Sequence, residues 1–316
     1  MNAIRKIFMW LTAGVAAALL HSAATAQSPL ANVDLTITHV AGNVYMIQRP
    51  GGGGNIGAQI GPDGVLLVDS LFDPMTDALL AAVREVTEED IKYLINTHIH
   101  VDHVGGNANL AERGVVIFSH KNTRQRLLEG RSRFPRAGGS WVPQQPESAR
   151  PQITFNDEMT FHFNGEEVLT FKAPPAHTDG DVFVYFPESD VMHLGDVYRT
   201  TSYPIIDLYN GGSLRGTIAA LDQAIDMAGP NTKVIPGHGL KIMDRQGLIE
   251  FRDMILDVQA EVLSLIREDK KLEEVTAANP TAAYDSEWTD DPGWQPEDFV
   301  PLVYYELGGS GRLTDR

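Results

Sequence analysis

Within six residues, His98-Ile99-His100-Val101-Asp102-His103, the chain places three imidazoles and a carboxylate. Neutral imidazole and carboxylate are preferred ligands of zinc and other borderline divalent ions. In a tight loop after a strand, His98 and His100 can face one ion while Asp102 and His103 turn to a second. Gly105 and Gly106 then let the backbone bend sharply into a helix near Asn107. Three further segments each hold one ligand type in a small-residue turn: His177 in Pro174-Pro175-Ala176-His177-Thr178-Asp179-Gly180-Asp181, Asp196 in His193-Leu194-Gly195-Asp196, and His238 in Pro236-Gly237-His238-Gly239. Seven ligands suffice for two metals, three each plus one bridging carboxylate, with room for a shared water or hydroxide. A closed structural zinc would be four-coordinate and lean on cysteine, of which the chain has none. That absence also excludes a cysteine nucleophile and any disulfide.

The elements around these residues read as an α/β chain. Residues 35–69 form successive short strands, with Gly61-Pro62-Asp63-Gly64 turning into the β-rich run Val65-Leu66-Leu67-Val68-Asp69. Asp73 as N-cap and Pro74 as first helical residue open a helix whose Leu79, Leu80 and Val83 share a face. A buried strand at 93–95 delivers the chain to His98, so the chemistry sits at strand ends. A second round follows: a strand at 115–118, a helix at 122–128, strands through 161–171 and at 182–185 and 191–194, a helix capped by Ser213 running to about Met227, and a strand at 233–235. Residues 247–266 carry Ile249, Met254, Ile255, Val258, Val262 and Ile266 at helical spacing, the mark of a packed face. After Glu274 comes an extension with Trp288 and Trp294, too short for a second domain.

Residues 1–26 follow a different logic. Arg5 and Lys6, an apolar run at 7–20 and Ala24-Thr25-Ala26 have the three parts of a signal peptide cleaved before Gln27, which implies a periplasmic or secreted enzyme without stable membrane insertion. The apolar run is shorter than the roughly 20 residues of a bilayer span. Cleavage would remove two cations and no anions, leaving 23 basic against 42 acidic residues and a net charge of −19. Such a charge repels nucleic acid, which leaves a small molecule as the expected partner. Oligomeric state does not follow from the sequence. His120 and His193 sit beside strands and read as packing or hydrogen-bonding residues, while His39 and His162 carry no signal.

The motifs, in order and spacing from about Leu35 to Leu240, resemble those of the metallo-β-lactamase superfamily, in an exported member similar to environmental metallo-β-lactamases. The resemblance implies a four-layer αββα sandwich over 27–275, with 276–316 packed on it. It implies that His98, His100 and His177 bind one metal and Asp102, His103 and His238 the other, with Asp196 bridging and Asp69 supporting the metal loop from outside the ligand set. Two zinc ions per chain are the expected cofactor, iron or a mixed pair being other fillings. A hydroxide shared by two cations is a nucleophile at neutral pH, because metals lower the pKa of water to about 7. Asp102 would orient it or relay its proton, and amide, lactam, ester, lactone or thioester hydrolysis follows. By resemblance, Arg199 and Asn210 stand where β-lactamases grip the substrate, and Arg can hold a carboxylate bidentately. Gly51 to Gly54 would form a flap over the site, and the Arg-bearing segment 131–150, with Phe134 and Trp141, would border the mouth. The glycine run lacks the Lys and following helix of a phosphate-cradling loop. β-Lactam hydrolysis is thus the first expectation. One departure speaks for the alternative: Asp196 stands where familiar β-lactamases carry Cys or Ser, as in glyoxalase II thioesterases and lactonases, which points to lactone, ester or thioester hydrolysis. Further readings are a persulfide dioxygenase with one iron and a non-catalytic metal-binding protein.

Overall fold

A computed structural model describes residues 28–130 and 144–310; the expected signal peptide and residues 131–143 of the Arg-bearing segment lie outside them. Seven strands form the first sheet in sequence order: β1 (Thr36–Ala41), β2 (Val44–Gln48), β3 (Ile56–Gly61), β4 (Gly64–Val68), β5 (Ile91–Asn96), β6 (Val116–His120) and β7 (Ile153–Phe155). β1 to β4 pair antiparallel, and β4 to β7 pair parallel. The second sheet holds β8 (Glu158–Phe163), β9 (Glu166–Lys172), β10 (Val182–Phe186), β11 (Val191–His193) and β12 (Lys233–Ile235), antiparallel except for the parallel pair β11 and β12.

Strand alternation explains the layering. In β4, Leu66 and Val68 face an inter-sheet core shared with Phe163, Val168 and Val184, whereas Val65 and Leu67 face a second core with Leu79 and Val83. Those two leucine-rich faces need helical cover on one side, which α1 (Thr76–Arg84) supplies together with Leu110 of the short α3 (Asn107–Ala111). Between them lies the single turn α2 (Val101–Val104), and α4 (Lys121–Glu129) follows β6. On the far side, Phe183, Met192 and Val234 of the second sheet pack against α5 (Leu214–Met227) and the long α6 (Arg245–Arg267). Three apolar cores between four layers, helix, sheet, sheet and helix, make the αββα sandwich.

Residues after α6 complete the last core. α7 (Leu272–Ala277) and α8 (Pro296–Glu306) bring Val275, Phe299 and Val303 to it, joined by Trp288 and Trp294 from the connecting segment. Phe299 stacks on Tyr203 at 5.2 Å between ring centroids. Helix starts follow the expected chemistry at Ser213, whose hydroxyl accepts from Gly216 N. Asp73 departs from it. Residues Asp73–Met75 form a 3-10 turn and α1 begins at Thr76, because the Asp73 carboxylate is taken by the Asn109 side chain at 2.6 Å rather than by a helix N–H.

Candidate metal centre

Parallel pairing of β4 with β5, and of β11 with β12, puts four strand ends at one edge of the sandwich. Asp69 follows β4, Thr97 and His98 follow β5, Asp196 follows β11 and His238 follows β12, while His177 comes from the β9–β10 connection. A backbone hydrogen bond from Val182 N to Thr97 O, 2.9 Å, ties the two sheets together here. The six-residue motif is not wholly an open loop: from Val101 it winds into α2, which swings Asp102 and His103 away from His98 and His100.

Three overlapping donor groups result, of which the group of Asp69, His98 and His103 shares one histidine with each of the other two. His98, His100, His177 and Asp196 present ligand atoms to one point, and Asp102, His103 and His238 to another. Asp196 lies between them: its Oδ1 is 3.2 Å from His103 Nε2, and its Oδ2 is 3.7 Å from His177 Nε2 and 3.2 Å from His238 Nε2. His238 Nε2 is also 3.1 Å from Asp102 Oδ2.

Partners outside the cluster fix the imidazole tautomers. His100 Nε2–H donates to Asp207 Oδ2 at 2.8 Å, and His177 Nδ1–H donates to Ile205 O at 2.5 Å. His103 Nδ1–H donates to Asp69 Oδ2 at 2.7 Å, and His98 Nδ1–H to Thr97 Oγ1 at 3.0 Å, whose own proton goes to Asp69 Oδ2. The nitrogens turned to the centre are thereby His98 Nε2, His100 Nδ1, His103 Nε2 and His177 Nε2. His100 Nδ1 and His177 Nε2 face each other at 2.7 Å, a contact that two neutral imidazoles tolerate only with a cation or proton between them. His98 Nε2 and Asp196 Oδ1 are buried without a hydrogen-bond partner among the described residues. Nitrogen and carboxylate donors converging with unused lone pairs fit a pair of divalent ions.

Electrostatics agree. Burial, reinforced by the neighbouring His103 and His177, pushes His98 well below its ordinary value of 6.5, and burial brings His177 down to about 3. Burial opposes a proton on His103 and His238 too, but Asp102, Asp196 and Asp69 outweigh it at the first, and Asp196 and Asp102 at the second, so both are raised. Burial likewise opposes ionisation of Asp102 and Asp196, yet His103 and His238 hold both below the usual carboxylate range. Without metal, the second group is an imidazolium–carboxylate cluster whose protons an incoming cation must displace.

Close approach imposes glycine at two places. A Cβ on Gly237 would lie 2.2 Å from Asp196 Oδ1, and one on Gly54 would lie 2.7 Å from Asp102 O. Asp69 is fully buried with φ 70°, a conformation uncommon for a non-glycine, which turns its carboxylate onto Thr97 and His103.

These distances bring the seven residues together at one edge of the sandwich, and the match to known proteins extends well beyond the six-residue motif. A family model described as the metallo-beta-lactamase superfamily covers residues 38–238, well over half of the chain. The chain belongs to this superfamily. Its members are metal-dependent hydrolases, and so is this protein. A type 2 metallo-beta-lactamase of Bacillus cereus is 23% identical over 193 residues, 61% of this chain and 69% of that one. A hydroxyacylglutathione hydrolase of Pelagibacter ubique (strain HTCC1062) is 26% identical over 172 residues, 53% of this chain and 60% of its own. Among solved structures, a metallo-beta-lactamase from Pontibacter korlensis is similar with a TM-score of 0.58 at 18% identity, covering 71% of this chain and all of that one. A stereoselective inverting sec-alkylsulfatase from Pseudomonas sp. is similar with a TM-score of 0.62 at 16% identity, covering 88% of this chain and 51% of that one.

Beside the second donor group opens a cleft of about 970 Å³, reached by Asp102 and His238 and bordered by Gly51, Gly52 and Gly53, by Phe72 and Leu240, and by residues 287–292. Its cations are Arg49, Arg199 and Lys241. Arg199 is only 2% exposed: Nη2 donates to Asp291 Oδ2 at 3.0 Å and Nη1 lies 3.6 Å from Asp196 Oδ2. Asn210 is fully buried, giving Nδ2–H to Asp207 Oδ2 at 2.6 Å and accepting from Arg126 Nη1 at 3.2 Å. In this arrangement Asn210 supports the partner of His100, and Arg199, though it lines the cleft, is hydrogen-bonded to Asp291 and not to Asp196. His193 is hydrogen-bonded to Asn55 O and accepts from Gly195 N, and His120 accepts from Asn122 N.

Sequence reasoning missed Asp207 and Asn55. Asn55 Nδ2 donates to Pro236 O and Gly239 O at 2.9 and 2.8 Å, clasping the turn that carries His238. Its only signal was an asparagine closing a glycine run.

Proposed function

We propose that this chain is an exported hydrolase carrying two zinc ions that cleaves lactones, esters or thioesters. The observation that carries this reading is the convergence of seven nitrogen and carboxylate donors, among which His98 Nε2 and Asp196 Oδ1 are buried without a hydrogen-bond partner, next to a cleft reached by Asp102 and His238. Bound divalent ions would lower the pKa of a shared water to about 7 and polarise the acyl oxygen. His98, His100 and His177, each oriented by its outer partner, would hold one ion; Asp102, His103 and His238 would hold the other, with Asp196 between them. Asp102 is the ligand carboxylate that reaches the cleft, so it is the residue placed to orient water and to carry its proton to the leaving group. Val101, between His100 and Asp102, and Leu240, two residues after His238, are exposed by 54% and 58% and offer an acyl substituent apolar contact.

Oxygen and sulfur esters come before β-lactams because Arg199 and Asn210, on which the lactam reading leans, are engaged with protein carboxylates. A β-lactam remains the second reading: Arg49 and Lys241 line the cleft, where either could take a substrate carboxylate, and the similarity to the Bacillus cereus lactamase supports it. The test is turnover of an aryl ester, an aromatic lactone, an acyl thioester and a chromogenic cephalosporin by the purified chain, with zinc and with chelator. We expect zinc-dependent turnover of the ester group of substrates. Two zinc ions bound with no acyl turnover at all would refute the hydrolytic reading, and oxygen consumption with one iron would replace it by persulfide oxidation. Export belongs to the same proposal, supported by Arg5, Lys6 and the apolar run after them; N-terminal sequencing should find Gln27 first, and an intact Met1 would reject it.

A further inference from the structure

We propose that Asp291, in the segment leading to α8, is a positioning residue of the metal centre that acts by holding Arg199 off Asp196. The proposal rests on the reading of Asp196 as a metal ligand. Arg199 is a buried cation beside that ligand: it pairs in parallel with His238, and the next residue donates from Thr200 N to His238 O at 3.0 Å. Its guanidinium has two carboxylates in reach. To Asp291 it makes a hydrogen bond of 3.0 Å, while Nη1 stops 3.6 Å from Asp196 Oδ2, beyond hydrogen-bond range. Asp291 is itself fixed on every side. Its N–H donates to Thr201 O at 3.0 Å, its Oδ1 accepts from Gly293 N at 2.8 Å, and its carbonyl accepts from Gln295 Nε2 at 2.6 Å. Gln295 is also the N-cap of α8, so the anchor is carried by an element packed into the core.

A buried charge that loses its partner seeks another. With Asp291 neutralised, the nearest anion to Arg199 is Asp196, and the guanidinium would close on it as a charge-assisted pair. Asp196 would then answer to Arg199 instead of to an ion shared with His103 and His238. The C-terminal segment is in this sense part of the centre, although it contributes no ligand.

Zinc affinity of the full chain, measured by competition with a chromophoric chelator, tests this, with the visible spectrum of the cobalt-substituted protein as a second readout. The wild-type chain should bind two ions. Asp291→Asn and Asp291→Ala should weaken one of them by about 10–100-fold, the range of outer-shell effects, and shift the cobalt spectrum. Asp291→Glu should restore much of the affinity. Adding Arg199→Gln to Asp291→Ala should also recover affinity, since no cation is left to compete. Unchanged affinity for both ions in Asp291→Asn and Asp291→Ala would overturn the proposal. So would a loss that Arg199→Gln deepens, or a loss of both ions with a broken melting transition that Glu does not repair, which would mean a merely structural role. A wild-type chain that binds fewer than two ions would refute the reading of the centre itself.

Discussion

Each imidazole of the centre that has an outer partner spends one nitrogen on that partner and turns the other to the centre. The partner is therefore as necessary as the ligand. Asp207 makes the point for His100, since its Oδ2 fixes the ring while Asn210 in turn fixes Asp207. Asp207→Ala should lower zinc affinity or kcat by about 10–100-fold with the fold intact, measured by metal content and circular dichroism; wild-type values would show that His100 needs no outer support. Gly237→Ala tests packing at the same scale. Its methyl would meet Asp196 Oδ1, so the His238 turn must shift, and a displacement of about 1 Å should cost on the order of 10²-fold in rate. Away from the centre, His120 caps α4 by accepting from Asn122 N, which requires a neutral ring, and burial, with Lys172 and Lys121 nearby, lowers its pKa to about 4. Below its ordinary value of 6.5 the unfolded chain takes up a proton that the folded ring refuses until about pH 4, so this residue contributes stability that is lost as pH falls through that window. The loss should reach about 1–2 kcal/mol, the worth of a cap, and His120→Asn should lack it in denaturant melts compared across pH 7 to 4.

At the scale of elements, the site depends on where strands stop. Parallel pairs place successive C-terminal ends side by side, and the residue after each strand inherits a position at the common edge. Helices α5, α6 and α8 act from behind, by burying the outer face of the second sheet. The C-terminal segment is thus a structural partner of the strands that end at Asp196 and His238. Phe299, fully buried and stacked on Tyr203, is one contact of this kind. Phe299→Ala should destabilise the chain by about 3–5 kcal/mol, seen as a lower denaturant midpoint, and a change under 1 kcal/mol would mean that α8 is only loosely attached.

For the whole molecule, a net charge of −17 is joined by a centre that gathers the buried Asp69, Asp196 and Asp207 and the half-buried Asp102. Cations bound there offset repulsion that the chain otherwise carries into the folded state. Chelation should therefore lower Tm as well as abolish turnover, and zinc at about 1,000 times its Kd should return roughly 4 kcal/mol of stability. Calorimetry with and without chelator measures this directly; equal melting temperatures would mean that the centre is empty in the purified chain or that its loading does not depend on folding.

The candidate donors were legible in the sequence: His98 to His103 crowd into six residues, and His177, Asp196 and His238 each stand in a small-residue turn, whereas their assignment to two groups came from the family resemblance. The layering was legible for a similar reason, since the all-apolar run of β4 can be buried only between two covered faces. Asp207, Asn55 and Asp291 were not legible. Each acts on a residue more than 90 positions away, and what selects it is the geometry of a neighbour that chain order does not reveal. The same holds for Arg199 and Asn210: their positions in the chain suggest a grip on substrate, but only the folded arrangement decides which carboxylates reach them first, because a buried charge or amide takes the nearest partner the tertiary structure supplies.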